Sequence, residues 1–165
     1  MIFNYPKANK ITAVLNDLLK INNDRIALYQ KTVDQTGNID SYLQDVFSNI
    51  ITEAICFRQQ ILQKIKQLDG NVKNNSTLFG KVYSAWFDLK VAFVYNTQKT
   101  IIASYLYNED VALHIYNVAL NMHADMPAEV HQLIEKQRSA LQENYDTIKK
   151  YRETSRTMSF SLLHF

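Results

Sequence analysis

Three segments with helical periodicity carry polar or charged residues where a protein core would normally have apolar ones. In the first segment the apolar positions recur every three or four residues, and Asn22 and Arg25 fall on the same face. An amide and a guanidinium are costly to bury unless other groups satisfy them. Two later segments offer carboxylates at similar positions. The sequence therefore predicts a buried central polar network of four residues: Asn22, Arg25, Glu53 and Glu109.

The same carboxylates would also suit a pair of metal ions. Di-metal centres in four-helix bundles use a Glu from each of two helices and a Glu-x-x-His motif from each of the other two. Here Glu53 and Glu135 begin such motifs, but Cys56 and Arg138 stand where histidine is needed. The guanidinium of the first segment would also repel a metal pair. We therefore expect an ion-pair network without a cofactor. A di-iron or di-manganese carboxylate oxidase using Glu53, Glu109 and Glu135 is the alternative.

A second group of metal-ligating residue types surrounds one predicted turn. His123, Asp125, Glu129 and His131 are close enough in sequence to bind Zn²⁺ or a similar cation together. A solvated helix end with capping acids explains the same residues, and we favour that interpretation. The sequence contains no phosphate-binding loop, dinucleotide fingerprint or nucleophile motif. We therefore predict no catalytic residues.

Composition limits the fold and the partners. The chain has 165 residues, with only three glycines and two prolines, which favours one domain of long helices. A net charge of +2, spread along the chain, gives no reason to expect nucleic acid as a partner. No apolar run is long enough to span a membrane, and the single cysteine excludes an internal disulfide. We expect a cytoplasmic protein.

The order of the periodic segments predicts the topology. The 3–4 spacing of apolar residues indicates four long helices and one shorter helix: about residues 10–35, 40–68, 98–122 and 127–152, with the shorter one at about 78–95. Short turns join the long helices into two hairpins, and the shorter helix crosses over between them. The second and third long helices should then be parallel. This is a ferritin-like up-down four-helix bundle, assigned as a domain over 1–153 and a C-terminal tail over 154–165.

Several motifs resemble a known family. They are NDLLxINNDR at residues 16–25, GKVYxAW at 80–86, NEDxAL at 108–113 and PAEVxQLIExQ at 127–137. Together they make the chain similar to an uncharacterised bacterial ferritin-like four-helix-bundle family. The resemblance covers about residues 12–152 and implies the fold. It implies no activity, because that family is a domain of unknown function.

The C-terminal tail suggests how the protein works. The tail ends in FSLLHF at residues 160–165, and four of these six residues are apolar. Apolar surface left in water costs about 25 cal/mol per Å². We therefore expect the tail to dock, either on its own bundle or in a groove on a second copy. The protein would then be a non-enzymatic structural or protein-interaction module, in a stress-related setting, that forms a homodimer or binds another protein. A disordered terminus is the alternative.

Overall fold

The computed structural model is an all-α four-helix bundle, which confirms the predicted fold class. It describes residues 7–35, 39–73, 97–122 and 126–161. The four helices of these parts are α1 (Lys7–Gln35), α2 (Ser41–Gln67), α3 (Gln98–Asn121) and α4 (Ala128–Ser161). Helix α1 packs closely against α2, and α3 packs closely against α4. The crossover helix predicted at about 78–95 lies outside the described residues.

The directions of the helices follow from contacts at one end of the bundle. The Gln98 side chain, at the start of α3, donates from Nε2 to Asp40 Oδ2 at 3.1 Å. The backbone N–H of Asp40, just before α2, donates to Gln98 Oε1 at 3.2 Å. Helices α2 and α3 therefore begin at the same end and run parallel, as predicted. Each is antiparallel to its neighbour within its own hairpin.

Two of the helices begin at the caps that their sequences encode. Asp40 has extended backbone angles, and its side chain accepts a hydrogen bond from the backbone N–H of Leu43 at 2.9 Å. Thr97 and Thr100 form a reciprocal capping box at the start of α3. Such caps satisfy backbone N–H groups that have no partner within the helix. They therefore fix where α2 and α3 start.

Helix α4 is longer than the sequence pattern predicts. We expected it to end at about Arg152, but it continues to Ser161. The predicted end of the helix at about residue 152 is therefore wrong. Hydroxyl side chains here donate to carbonyls one turn back: Thr154 to Lys150 at 3.0 Å and Ser155 to Tyr151 at 2.9 Å. Such bonds are compatible with a continuing helix. The division into a domain and a tail stays a prediction.

Within the described residues no helix is long and apolar enough to cross a membrane.

Apolar side chains line the inner faces of the helices and form two clusters. One includes Leu15, Ile61 and Ile134, and the other includes Phe47 and Ile102. Buried polar residues of the central turns lie between the clusters: Asn22, Arg25 and Glu109. The core is thus interrupted midway by a polar layer.

Candidate functional site: a buried ion pair in the central polar layer

Arg25 of α1 and Glu109 of α3 form a two-bonded ion pair at the centre of the bundle. Arg25 Nε lies 2.9 Å from Glu109 Oε1, and Arg25 Nη2 lies 2.9 Å from Glu109 Oε2. Both side chains are 0% exposed. Arg25 Nη1 also donates to Asn22 Oδ1 at 3.1 Å. Paired N–H groups of this kind match the geometry of a carboxylate, so the pair fixes both position and orientation.

A third donor completes the contacts of the carboxylate. The Tyr29 hydroxyl donates to Glu109 Oε1 at 2.5 Å. Burial raises the pKa of Tyr29 well above its ordinary value, and the negative charge of Glu109 raises it further. Burial, the largest single effect, would lower the pKa of Arg25, but the charge of Glu109, its hydrogen bonds to Arg25 and the neighbouring Tyr29 and Tyr105 together outweigh it, and the net shift is upward. Arg25 is therefore held charged, and Tyr29 is held neutral.

A chain of hydrogen bonds continues from Arg25 through all four helices. Asn22, which accepts from Arg25, donates from Nδ2 to the Tyr116 hydroxyl at 2.8 Å. That hydroxyl donates to Gln137 Oε1 at 2.8 Å, and Gln137 Nε2 donates to Gln60 Oε1 at 2.9 Å. Every donor points away from the guanidinium, so the bonds polarise one another. Burial raises the pKa of Tyr116 to about 12, against the opposing effect of the bond from Asn22.

Glu53 does not share the full burial of the other predicted network residues. It is half-buried, and its Oε1 accepts from Asn144 Nδ2 of α4 at 2.7 Å. The core-facing positions of this part of α2 belong to Ile50 and Ala54. Glu53 lies beside that stripe, at the edge facing α4. Its burial still raises its pKa, although the charge of Arg25 opposes the shift.

The other residues considered as metal ligands lie away from the central layer. His131 and Glu135 are one turn apart on α4, with His131 Nδ1 and Glu135 Oε2 3.8 Å apart. Their side chains are 45% and 61% exposed. Glu135 therefore faces solvent and does not point towards Glu109. His123 lies outside the described residues. Within the parts of the chain that the structure describes, no three His, Cys, Asp or Glu side chains are grouped closely enough to hold a metal ion.

The donor chemistry of the layer does not fit a di-metal centre. Both Glu109 oxygens already accept hydrogen bonds from Arg25, and Oε1 accepts a further one from Tyr29. At the positions where the motif needs histidine, Cys56 is exposed and Arg138 donates to Asn117 Oδ1 at 2.8 Å. A fixed cation is bound where metal ions would have to be. No metal-dependent step follows from this arrangement.

One buried hydroxyl close to this layer has no partner in the described structure. The Tyr105 side chain is 1% exposed, and its hydroxyl makes no hydrogen bond with any described group. Its ring centroid lies 5.3 Å from those of Tyr29 and Phe47. Burial, followed by the charge of Glu109, raises the pKa of Tyr105 well above its ordinary value. Tyr105 therefore serves as a neutral ring in the aromatic packing beside the ion pair.

The chain matches the family described as Domain of unknown function (DUF2383) over residues 10–122. The match spans more than half of the 165 residues. The chain belongs to this family. No protein in the curated set matches it.

The family match covers α1, α2 and α3 and ends before α4. Both residues of the ion pair, Arg25 and Glu109, fall within it. Gln137, which carries the hydrogen-bond chain from α3 to α2, falls outside it. The region that matches the DUF2383 family therefore contains the ion pair, but the family description gives no activity for it.

Sequence reasoning missed part of the hydrogen-bond chain. The predicted network contained Asn22 but not Tyr116, Gln137 or Gln60. The available signal was Gln137, a second amide on a core-facing stripe, between Ile134 and Leu141. Two buried amides on different helices suggest a shared partner. The partner shared by Asn22 and Gln137 is the hydroxyl group of Tyr116.

Proposed function

We propose that this protein is a non-enzymatic helical-bundle module of the ferritin-like class that acts by associating with protein. Its central layer is a permanent ion pair, which takes the place of a metal centre. The observation that carries the proposal is the two-bonded contact between Arg25 and Glu109, with both side chains 0% exposed. A ferritin-like class is supported by the parallel α2 and α3, which need a long connection between them.

The state of the ion pair argues against catalysis at this layer. A catalytic acid, base or ligand must reach a substrate, whereas Arg25 and Glu109 have no exposed surface. Their charges cancel, and Tyr29 accounts for a further contact of the carboxylate. Groups that already satisfy one another are poor candidates for binding a reacting molecule. The layer is better suited to holding helices together.

Fixing the helix arrangement is the role that suits the layer. A buried charge pair adds little net stability compared with apolar packing, but it penalises arrangements that separate the two charges. Arg25 belongs to the first hairpin and Glu109 to the second. Sliding one hairpin by a turn would leave both charges buried and unpaired. The layer therefore selects one register for the two hairpins.

Metal binding by the purified protein tests the non-enzymatic proposal. The protein would be incubated with Fe(II) or Mn(II), freed of unbound metal and assayed for metal content and oxygen consumption. We expect no stoichiometric metal and no oxidase activity above the background of the free ion. Glu109→Gln tests the central layer, and His131→Ala is the matched control for surface binding. About two metals per chain, lost in Glu109→Gln and kept in His131→Ala, would overturn the proposal.

A further inference from the structure

The outward face of α2 carries no charged residue over most of its length. Helix α2 lies entirely within the described residues. Its exposed residues between Asp45 and Lys66 are all uncharged: Ser48, Asn49, Thr52, Cys56, Gln59, Gln60 and Gln63. Their spacing of three or four residues places them on one side of the helix. We call this set of residues the neutral face of α2.

The charged side chains in the same stretch lie beside the neutral face. Glu53, Arg58 and Lys64 are all half-buried. Glu53 accepts a hydrogen bond from Asn144 of α4, and Lys64 Nζ lies 3.1 Å from Glu129 Oε2 of α4. The Nε atom of Arg58 is buried. None of these three charges therefore interrupts the neutral face.

The neutral face differs in composition from the outward face of α4. Over a stretch of similar length α4 exposes Glu135, Lys136, Glu143 and Asp146. A helix face that meets only water usually carries charged residues of this kind. The centre of a protein interface is depleted of them. The composition of the neutral face therefore indicates a surface that binds protein.

Exposed charges of α4 border the neutral face on one side. Lys136 lines a groove together with Gln60 of the neutral face. Glu129 and Glu143 lie about two turns before and after Lys136 along α4, and all three are exposed. Because these charges alternate in sign, this edge has no field of one sign that would repel a second copy.

The two charges at the ends of the neutral face are opposite in sign. Asp45 lies about 16 Å before Cys56 along the helix axis, and Lys66 lies about 15 Å after it, at 1.5 Å per residue. A second α2 that runs antiparallel about a two-fold axis near Cys56 therefore places its Lys66 opposite Asp45, and its Asp45 opposite Lys66. A parallel second α2 would place like charges together. The charge pattern is complementary to itself only in the antiparallel arrangement.

The uncharged residues also match one another in this arrangement. Thr52 of one copy lies opposite Gln60 of the other, and Asn49 lies opposite Gln63, because the members of each pair are equally distant from Cys56. Hydroxyl and amide side chains both donate and accept hydrogen bonds. Each pair can therefore bond in either direction, and the two Cys56 side chains lie next to each other.

We propose that the neutral face of α2 binds the same face of a second copy of this chain. The two α2 helices run antiparallel, and the two-fold axis passes close to Cys56. Asp45 of each copy lies opposite Lys66 of the other. This inference rests on the proposed association function and names its partner.

The size of the contact sets its strength. A strip of about 30 Å by 10 Å along α2 is small beside the roughly 800 Å² that each partner buries in a standard interface. We therefore expect a weak, reversible dimer, whose population rises with protein concentration.

Chemical cross-linking at Cys56 tests the position of the axis, because Cys56 is exposed and is the only cysteine of the chain. A short bismaleimide, which joins two thiols, would be added to the full-length protein over a range of concentrations. We expect a covalent dimer on a denaturing gel. In the matched control, Cys56→Ser with Asp110→Cys, the thiol moves to an exposed position of α3, the helix diagonal to α2. That variant should remain monomeric on the gel.

Charge reversal at the two ends of the neutral face tests the antiparallel pairing. Sedimentation equilibrium would be measured for the unchanged chain, for Asp45→Lys, for Lys66→Asp and for both changes together. Each single reversal should weaken the dimer about three- to tenfold, because both symmetric pairs then become like-charged. Both changes together should restore the affinity.

A charge added at the axis tests the centre of the contact. Cys56→Asp places two carboxylates side by side and should weaken the dimer by more than about tenfold. Ala103→Asp adds the same charge at an exposed position of α3 and should leave the dimer unchanged. Circular dichroism would show that each variant folds.

The outcomes separate this inference from the proposed function. A full-length chain that is monomeric at every concentration overturns the inference and leaves another protein as the partner of the neutral face. A dimer that is not linked through Cys56, or that none of the charge changes weakens, also overturns it, because its interface then lies elsewhere. Neither result alters the metal-binding test of the central layer.

Discussion

The Arg25 guanidinium and the Glu109 carboxylate meet edge to edge, with two nitrogens each 2.9 Å from a different oxygen. Neither side chain has exposed surface. The two residues are 84 positions apart in the sequence, so the contact joins the two hairpins and does not stabilise one helix locally. The energetic consequences of breaking this contact should therefore appear in the stability of the whole bundle.

Removing Arg25 alone should destabilise the protein strongly. Arg25→Ala leaves Glu109 buried without its countercharge, and breaking a buried ion pair from one side typically costs about 3 to 5 kcal/mol. Denaturant titration measures this cost as a change in the free energy of unfolding. Replacing both partners, as in Arg25→Met with Glu109→Leu, should cost much less, because no buried charge remains.

Lys31→Ala provides a matched control on the same helix, because Lys31 is exposed. It should change the free energy of unfolding by less than about 0.5 kcal/mol. A loss below about 1 kcal/mol for Arg25→Ala would mean that water reaches the layer and that the pair is not a buried one.

The hydrogen-bond chain should be sensitive at Tyr116. Tyr116→Phe removes the hydroxyl that accepts from Asn22 and donates to Gln137, and leaves both amides buried with a missing partner. Each unsatisfied buried group costs about 1 to 3 kcal/mol. Thermal or denaturant unfolding should show a loss in that range or above it. Tyr107→Phe is the matched control, because the Tyr107 side chain is 48% exposed. Equal losses of stability in Tyr116→Phe and Tyr107→Phe would contradict the predicted role of the hydrogen-bond chain.

Stability should fall at alkaline pH because of Tyr29. Its pKa in the folded protein lies well above the ordinary value of 10.0, mainly because of burial. The protonated hydroxyl is therefore favoured by folding, and its contribution is complete below pH 10.0 and decreases as the pH rises towards the folded pKa. Unfolding curves measured above pH 10.0 should show this loss, and Tyr29→Phe should reduce its slope. An unchanged slope in Tyr29→Phe would assign the effect to other tyrosines.

The charged side chain of Glu53 should destabilise the folded protein at neutral pH, whereas a buried ion pair would stabilise it. Its folded pKa is raised above the ordinary 4.5, chiefly by burial, so its contribution is complete below pH 4.5 and is lost as the pH rises through the folded pKa. Glu53→Gln keeps an oxygen for Asn144 and removes the charge. We expect this variant to be more stable than the unchanged protein at neutral pH. The exposed neighbour Glu143→Gln is the control, and a loss of stability in Glu53→Gln would contradict the prediction.

The periodicity of apolar residues was sufficient to predict most of the fold. The apolar stripes located α1 to α4, and the parallel order of α2 and α3 followed from the turn positions. The predicted end of α4 at about residue 152 was wrong, because the helix continues to Ser161. In the structure Thr154 and Ser155 donate to carbonyls one turn back. Local propensity could not anticipate those bonds.

The candidate site was predictable in its residue types but only partly in its contacts. Arg25 and Glu109 were identified because charged residues on a core-facing stripe need each other. Glu53 was placed too deep, since a position beside the stripe and a position on it differ by a rotation that spacing alone does not resolve. The link from Tyr116 to Gln137 depends on which rotamers meet across helices, and sequence spacing does not specify those.

The close packing within each hairpin has a consequence for the order of folding. Helices α1 and α2 are joined by a short turn, as are α3 and α4, and each pair packs more closely internally than against the other pair. Contacts between neighbours in sequence have a small loop-closure cost and form early. The two hairpins should therefore assemble first and dock later. We therefore expect substitutions at Arg25 to speed unfolding more than they slow folding, because contacts that form late in folding contribute little to the transition state.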